Sequence, residues 1–202
     1  MIDELERVAQ RPVSRETFDR LQAYAALLRD EARRQNLVSA STLEQLWERH
    51  ILDSAQLVRF EPRPGASWVD IGAGAGLPGI VVACLIEGPV TLVEPRRLRA
   101  DFLHKVCESL GLSAHVIATR AERTQGKYEV ITARAVANLA QLLEISAHLS
   151  TRKTVWTLPK GRGAAAELAE AQLKWQGAFH VERSVTDADS FIVVATGVRA
   201  KR

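Results

Sequence analysis

Hydrophobic and polar positions fall into two textures that meet near residue 64. Ahead of that point apolar residues recur every three or four places. Phe18, Leu21, Ala25 and Leu28 form one stripe, with Arg15, Asp19, Arg29 and Asp30 on the opposite side. Ser14 followed by Glu16 suits the start of this amphipathic helix, which is expected to run to about residue 33. A second helix is expected to open with Ser41 and Glu44 in capping-box spacing, its stripe made by Leu43, Leu46, Trp47, His50, Ile51, Ser54 and Leu57. The string Glu61-Pro62-Arg63-Pro64-Gly65 ends it, because proline cannot continue a helix. The expected boundary therefore divides an N-terminal helical extension packed on the core, residues 1–64, from a larger domain, residues 65–202.

Beyond the boundary, short β-branched or apolar runs at 67–71, 90–94, 114–118, 128–133 and 154–158 alternate with helical stretches at 79–86, 97–110 and 139–149. That alternation predicts right-handed βαβ units and a parallel sheet covered on both faces. After a helix over 164–174, the runs 178–185 and 191–196 are separated only by Thr186-Asp187-Ala188-Asp189-Ser190. This link is too short for a crossover helix, so the two runs should pair as an antiparallel hairpin. Five parallel strands and a C-terminal hairpin make a seven-stranded, mostly parallel sheet, the α/β layout of the Rossmann-like class I S-adenosylmethionine-dependent methyltransferase fold.

The first strand runs into Asp70-Ile71-Gly72-Ala73-Gly74-Ala75-Gly76-Leu77-Pro78-Gly79, which reads as strand, tight loop, helix. Glycines let the chain turn sharply and let its backbone approach a ligand. Gly74 to Gly79 satisfies the dinucleotide pattern G-x-G-x-x-G, which alone is weak evidence. The acidic Asp70 two places before the first glycine fits S-adenosylmethionine better. That cofactor has no pyrophosphate for a helix terminus to hold, and its sulfonium cation sits favourably beside a carboxylate. The alternative for Asp70 is a capping carboxylate. Glu94, at the end of the second strand, can accept from ribose hydroxyls, the alternative being an ion pair with Arg96 or Arg97.

Ligands of open α/β sheets bind at the carboxyl ends of the strands, and the loops there are basic: Thr119-Arg120-Ala121-Glu122, Arg134-Ala135-Val136-Ala137 and Pro159-Lys160-Gly161-Arg162. With a net charge of +3 and a pI near 9.1, nucleic acid is the expected polyanion. The loop after the fourth strand lacks the Asn/Asp-Pro-Pro-aromatic signature of exocyclic amine methylation, and Cys84 and Cys107 both fall in predicted helices, as core thiols rather than nucleophiles. An acceptor that needs no deprotonation, such as guanine N7, suits such a site. The cysteines and the five histidines have no metal-ligand spacing, so no metal is expected. The longest apolar run, residues 80–86, falls well short of the roughly 20 residues a membrane span needs, and no secretory leader is evident, so a cytoplasmic protein is expected. A monomer is the expected state.

The strings Asn36-Leu37-Val38-Ser39, Arg49-His50-Ile51-Leu52-Asp53-Ser54 and Asp70 to Gly79, followed in order by Arg120-Ala121-Glu122, Thr132-Ala133-Arg134-Ala135 and Lys160-Gly161, resemble the RsmG (GidB) family. The resemblance runs from about Asn36 to Val194. It implies methyl transfer from S-adenosylmethionine to N7 of a guanosine in bacterial 16S ribosomal RNA, naked or in the small subunit. It further implies that Gly72 and Leu77 line the cofactor site beside Gly74 and Gly76, that Ala121 and Glu122 meet the adenine end, and that Arg134 lies near the methionyl end and the acceptor guanine. Lys160 would face RNA, and Arg162, Arg96 and Arg97 are the further candidate RNA contacts. His50 and Asp53, three apart on one helix side, are either substrate contacts or a buried pair docking the N-terminal helices on the sheet. One departure is Ser190, where a basic residue is expected before the last strand, with the tail Arg199-Ala200-Lys201-Arg202 as a candidate replacement. Two other readings stay open: a cofactor-binding RNA-recognition protein without turnover, and methyl transfer to a small molecule or protein.

Overall fold

A computed structural model describes residues 1–35, 37–39 and 43–201. The chain begins with a helix the sequence pattern did not announce, α1 (Ile2–Ala9), which buries Leu5, Val8 and Ala9. It is two turns long and has no side-chain cap, so it carried no start signal. α2 (Arg15–Ala32) starts as expected, with Ser14 accepting from the Thr17 amide, and buries Phe18, Leu21, Ala25 and Leu28 together with Tyr24. The second predicted helix is built from three helix types in succession, a π turn (Trp47–Ile51), α3 (Leu52–Ala55) and a 3-10 turn (Gln56–Phe60). Its expected cap, Ser41, lies outside the described residues.

The strands are β1 (Trp68–Ile71), β2 (Val90–Val93), β3 (Ala114–Ile117), β4 (Val130–Thr132), β5 (Val155–Lys160), β6 (Trp175–Arg183) and β7 (Phe191–Ala200). Between them lie α4 (Gly79–Leu85), α5 (Arg97–Leu110), α6 (Leu139–Ser146) and α7 (Ala164–Lys174). They form one seven-stranded sheet in the order β3-β2-β1-β4-β5-β7-β6. β1 to β5 are parallel, and β7 runs antiparallel between β5 and β6. The hairpin is thus present, with the last strand inserted inside the sheet and β6 at its edge.

Alternate residues of each strand feed different faces. Trp68, Leu92, Val116 and Val194 join one core with Leu5, Leu21, Leu28 and Leu57 of the N-terminal helices. Val69, Ile71, Val93, Ile131 and Leu158 join the other with Leu139, Leu142 and Leu143 of α6. Burial on both faces accounts for the nearly continuous apolar runs of β1 and β4. Because β7 runs against β5, pairing Trp156 with Ala195 and Lys160 with Phe191, its final residues lie at the amino ends of the parallel strands. Arg199 and Lys201 gather there with Arg152, at the opposite end of the sheet from the ligand-facing loops, so these two do not substitute for a basic residue at Ser190; Arg202, the last residue of the tail, lies outside the described residues. Among the described residues no helix is long and apolar enough to cross a membrane.

Candidate active site

The loop after β1 is shaped by glycines and locked by two carboxylates. Gly72, Gly74 and Gly76 have φ of +67°, +56° and +97°. At Gly76 a Cβ would lie 2.6 Å from Ile80 Cγ1 and 3.1 Å from the Tyr24 hydroxyl, so the loop packs too tightly for any other residue. Pro78 stands as the N-cap residue, one place before α4. Tyr24 reaches from α2 and donates its buried hydroxyl proton to the Ala75 carbonyl at 2.8 Å. Burial holds that phenol well above its ordinary range, so it stays a donor.

Asp70 is fully buried, and its Oδ2 accepts from the Gly79 amide at 2.8 Å. It therefore does what the sequence offered only as the alternative: it caps α4 and ties the far end of the loop back to β1. Its Oδ1 is buried without a partner. Burial raises its pKa from 3.8 to about 7, against the Gly79 amide and the Arg134 charge, which favour the ionised form. Glu94 accepts from the Gly74 amide at 2.9 Å and the Arg96 amide at 2.8 Å. Among the described residues no ion pair joins it to Arg96 or Arg97, whose side chains are exposed, so that alternative is not the one realised.

Among the described residues, residues 134–137 stand between the two larger clefts at the carboxyl ends of the strands, and a smaller one of about 180 Å³ lies beside His50, Asp53 and Arg134. The first, about 270 Å³, is lined by Ile71, Gly72, Val93, Ala121, Glu122 and Val136 among others. Val136 presses on Gly72, where a Cβ would stand 2.6 Å from its Cγ2. Ala121 is buried in this wall and Glu122 is exposed at the rim. Leu77 is packed in the core with the N-terminal helices, so it can serve this cleft only through its backbone.

The dividing loop carries Arg134, and the N-terminal helices supply what holds it. Arg134 Nη2 donates to His50 Nδ1 at 2.8 Å, and its Nη1 lies 3.6 Å from Asp53 Oδ2. Burial, then the charges of Arg134 and Arg49, lower the His50 pKa from 6.5 to about 4. The imidazole is accordingly neutral, with Nδ1 as the acceptor. Asp53 Oδ1 takes hydrogen bonds from Gln56 Nε2 at 2.7 Å and Thr186 Oγ1 at 3.0 Å. His50 and Asp53 therefore do not bond to each other as a docking pair would. Both turn to Arg134, and through it they tie the N-terminal helices to the end of β4. The π turn just ahead of Asp53, closed by the Leu52 amide on the Trp47 carbonyl, adds a residue to the helical turn and sets this register. Gln56 and Thr186 are site residues the sequence did not announce. They stand 130 positions apart, and nothing local marks their meeting.

The second cleft, about 320 Å³, lies on the other side of the dividing loop. Asp53, Arg134, Ala137, Lys160, Glu167 and Phe191 are among its walls. Lys160, the last residue of β5, does not dangle in a loop: its ammonium donates to the Ala137 carbonyl at 3.0 Å and to Glu167 Oε2 at 2.8 Å. Arg162 is exposed and ion-paired with Asp189, and Arg49 pairs with Asp187 at 3.0 Å, so the turn before β7 neutralises part of the basic rim. Arg96, Arg97 and Arg120 remain exposed at the rim nearest the first cleft. Burial raises the Cys84 and Cys107 thiols to about 12 and about 11, which keeps both protonated and unreactive. Among the described residues no group of three or more His, Cys, Asp or Glu is placed to hold a metal ion.

Solved structures share this architecture. A SAM-dependent methyltransferase from Aquifex aeolicus matches with a TM-score of 0.61 at 14% identity, over 80% of this chain and 95% of that one. A mutant of MtNAS in complex with S-adenosylmethionine matches with a TM-score of 0.60 at 19% identity, over 88% of this chain and 74% of that one. At such identities the likeness shows the fold. Sequence relatives are nearer. A ribosomal RNA small subunit methyltransferase G of Zymomonas mobilis is 43% identical over 94% of this chain and 90% of its own length. One from Erythrobacter litoralis is 48% identical over 91% of this chain and 90% of its own. The family described as GidB, rRNA small subunit methyltransferase G, matches residues 17–190, which include the glycine loop, the first cleft, the Arg134 clamp and all the named walls of the second cleft except Phe191, and the chain belongs to that family.

Proposed function

We propose that this protein, acting as a monomer, methylates N7 of a guanosine in the 16S RNA of the bacterial small ribosomal subunit, with S-adenosylmethionine as donor. The observation that carries the proposal is the Arg134 clamp: a loop held by His50 and Asp53 divides a cleft beside the glycine turn from a second cleft beside Lys160 and Phe191. Two compartments sharing one thin wall suit a donor on one side and an acceptor base on the other.

The first cleft, with the glycine turn and strand ends that border it, fits the cofactor. At Gly74 a Cβ would only reach ordinary contact, 3.7 Å from the Gly72 carbonyl oxygen and 3.8 Å from an Arg99 guanidinium nitrogen, so the turn is less crowded here than at Gly72 or Gly76 and its backbone can serve as a cradle. Gly72, Gly74 and Gly76 would form that cradle with the Leu77 backbone. Glu94 would take the ribose, Ala121 and Glu122 the adenine end, and Asp70 and Arg134 the methionyl end, Asp70 through the cap it makes on α4. S-adenosylmethionine, when bound, supplies an electrophilic methyl group. Guanine N7 brings its own lone pair, so no residue is required to remove a proton, in keeping with protonated thiols and with a His50 whose lowered pKa makes it a weak base and whose Nδ1 is taken by Arg134. N7 attack leaves the base cationic, and the Asp53 and Glu167 carboxylates around the second cleft offset that charge. Exposed Arg96 and Arg97 would meet the RNA backbone directly, whereas Arg162 and Lys160 would do so only alongside their acidic partners.

The test is the modification itself. Small-subunit RNA from cells lacking this protein should lack one N7-methylguanosine, restored by the wild type and not by Arg134→Ala. Purified Arg134→Ala should still bind RNA. An unchanged modification profile in the deleted strain would overturn the proposal.

A further inference from the structure

The second cleft holds a donor and an acceptor side by side, each with bonding capacity left over. Lys160 Nζ has three protons and spends two, on the Ala137 carbonyl and on Glu167 Oε2. Glu167 Oε2 also accepts from the Leu139 amide at 2.9 Å, so that oxygen is committed to fixing α6 against α7. Glu167 Oε1 has no hydrogen-bond partner among the described residues. The other carboxylate in the cleft is not equivalent, since Asp53 is already taken by Gln56, Thr186 and Arg134. Phe191, half-buried in the same wall, presents an aromatic ring.

One lysine proton next to one open carboxylate oxygen is a donor-acceptor edge. Guanine presents a matching partner on its Watson–Crick edge: O6 accepts, while N1–H and the N2 amino group donate. Uracil offers O4 and N3–H in the same sense, but sets its O2 lone pairs where the N2 amino donor of guanine would meet the carboxylate. Adenine places an amino donor where O6 would be and a bare acceptor at N1, so it would set donor against donor and lone pair against carboxylate. Recognition on this edge leaves N7, on the neighbouring edge of the ring, without a partner and free to react.

Resting on the functional reading above, we infer that Lys160 and Glu167 read the Watson–Crick edge of the acceptor guanine, Lys160 donating to O6 and Glu167 Oε1 accepting from N1–H and the N2 amino group. Glu167 also serves the chemistry. N7 attack makes the base cationic and sharpens its N1 and N2 donors, so a contact with an anionic oxygen is stronger in the transition state than before it. The ion pair with Lys160 keeps the carboxylate in place without neutralising its second oxygen.

The decisive probe is inosine, which keeps O6, N1–H and N7 but lacks the N2 amino group. Small-subunit RNA assembled with inosine in place of the acceptor guanosine is compared with natural RNA, in kcat/KM and in RNA affinity by fluorescence anisotropy. The wild type should prefer guanosine by about tenfold or more, the size of a lost hydrogen bond to a charged group. Glu167→Gln, which can still accept from the Leu139 amide, should bring that preference within about threefold while cofactor affinity by calorimetry stays unchanged. A variant that is slower on both substrates yet keeps the full guanosine preference would overturn the assignment. Should Glu167→Gln not fold, the wild type alone decides: equal use of guanosine and inosine refutes the reading. A wild type that methylates neither refutes the functional proposal first and this inference with it.

Discussion

Asp70 sits at the junction of β1, the glycine loop and α4, and its replacement by asparagine isolates one physical effect. Asparagine has nearly the same shape and can still accept from the Gly79 amide, so the cap survives. The titrating proton does not. Burial lifts the carboxyl from 3.8 to about 7, so the folded protein holds that proton more tightly than the unfolded chain. The sign follows from linkage: stability from this group is fully present below about pH 4 and is lost as the pH rises through 7. Relative to the ionised group, protonation contributes on the order of 3 kcal/mol at pH 5 and nearly nothing at pH 8. The wild type should therefore lose on the order of 3 kcal/mol between those pH values that Asp70→Asn does not lose. The unpartnered amide protons of the variant cost about 1–3 kcal/mol at either pH and cancel in the comparison. Urea unfolding of both proteins at pH 5 and pH 8, without added cofactor, gives the double difference, in which the other titrating groups also cancel. Equal pH dependence in the two proteins would show that the carboxyl ionises normally and is not sealed from water.

His50 should remain neutral well below its ordinary range, because its burial and the adjacent Arg134 charge both oppose protonation. Its ring resonances, followed by NMR, should titrate near pH 4 in the wild type and move back towards 6.5 in Arg134→Met; a wild-type midpoint near 6.5 would break the proposed clamp. The direction is opposite to that of Asp70: the folded state loses stability as the pH falls from 6.5 towards 4, when the unfolded chain takes up the proton more readily. The glycine loop should respond position by position. Gly74→Ala meets no protein atom closer than 3.7 Å. It should cost about 1–2 kcal/mol of backbone strain while weakening S-adenosylmethionine binding at least tenfold by calorimetry. Gly76→Ala, pressed on Ile80 and Tyr24, should instead lower the melting temperature several-fold more than Gly74→Ala does; the reverse order would misplace the cradle.

What the sequence determined by itself is whatever local chemistry decides. The period of apolar residues separated α2 from the strands, the glycines marked the turn after β1, and a five-residue link too short for a helix required the hairpin. Position at a strand end singled out Glu94, and motif order singled out Arg134, Lys160, His50 and Asp53, because strand ends and short motifs are themselves local. Partners are not local, and there the sequence was silent or divided. Whether Asp70 capped a helix depended on the loop folding back to bring Gly79 within 2.8 Å. His50 and Asp53 met Arg134, 84 residues from His50, only because the N-terminal helices pack against the carboxyl end of the sheet. The insertion of β7 between β5 and β6 carried Arg199 and Lys201 away from the site and brought the Thr186 turn over Asp53. Likewise Glu167, an ordinary glutamate on a short helix, acquires its place beside Lys160 from the packing of α7 under the end of β5. Secondary structure follows from interactions a few residues long, which a sequence displays; the charge, proton affinity and free bonding positions of a site follow from burial and long-range pairing, which only the folded chain creates.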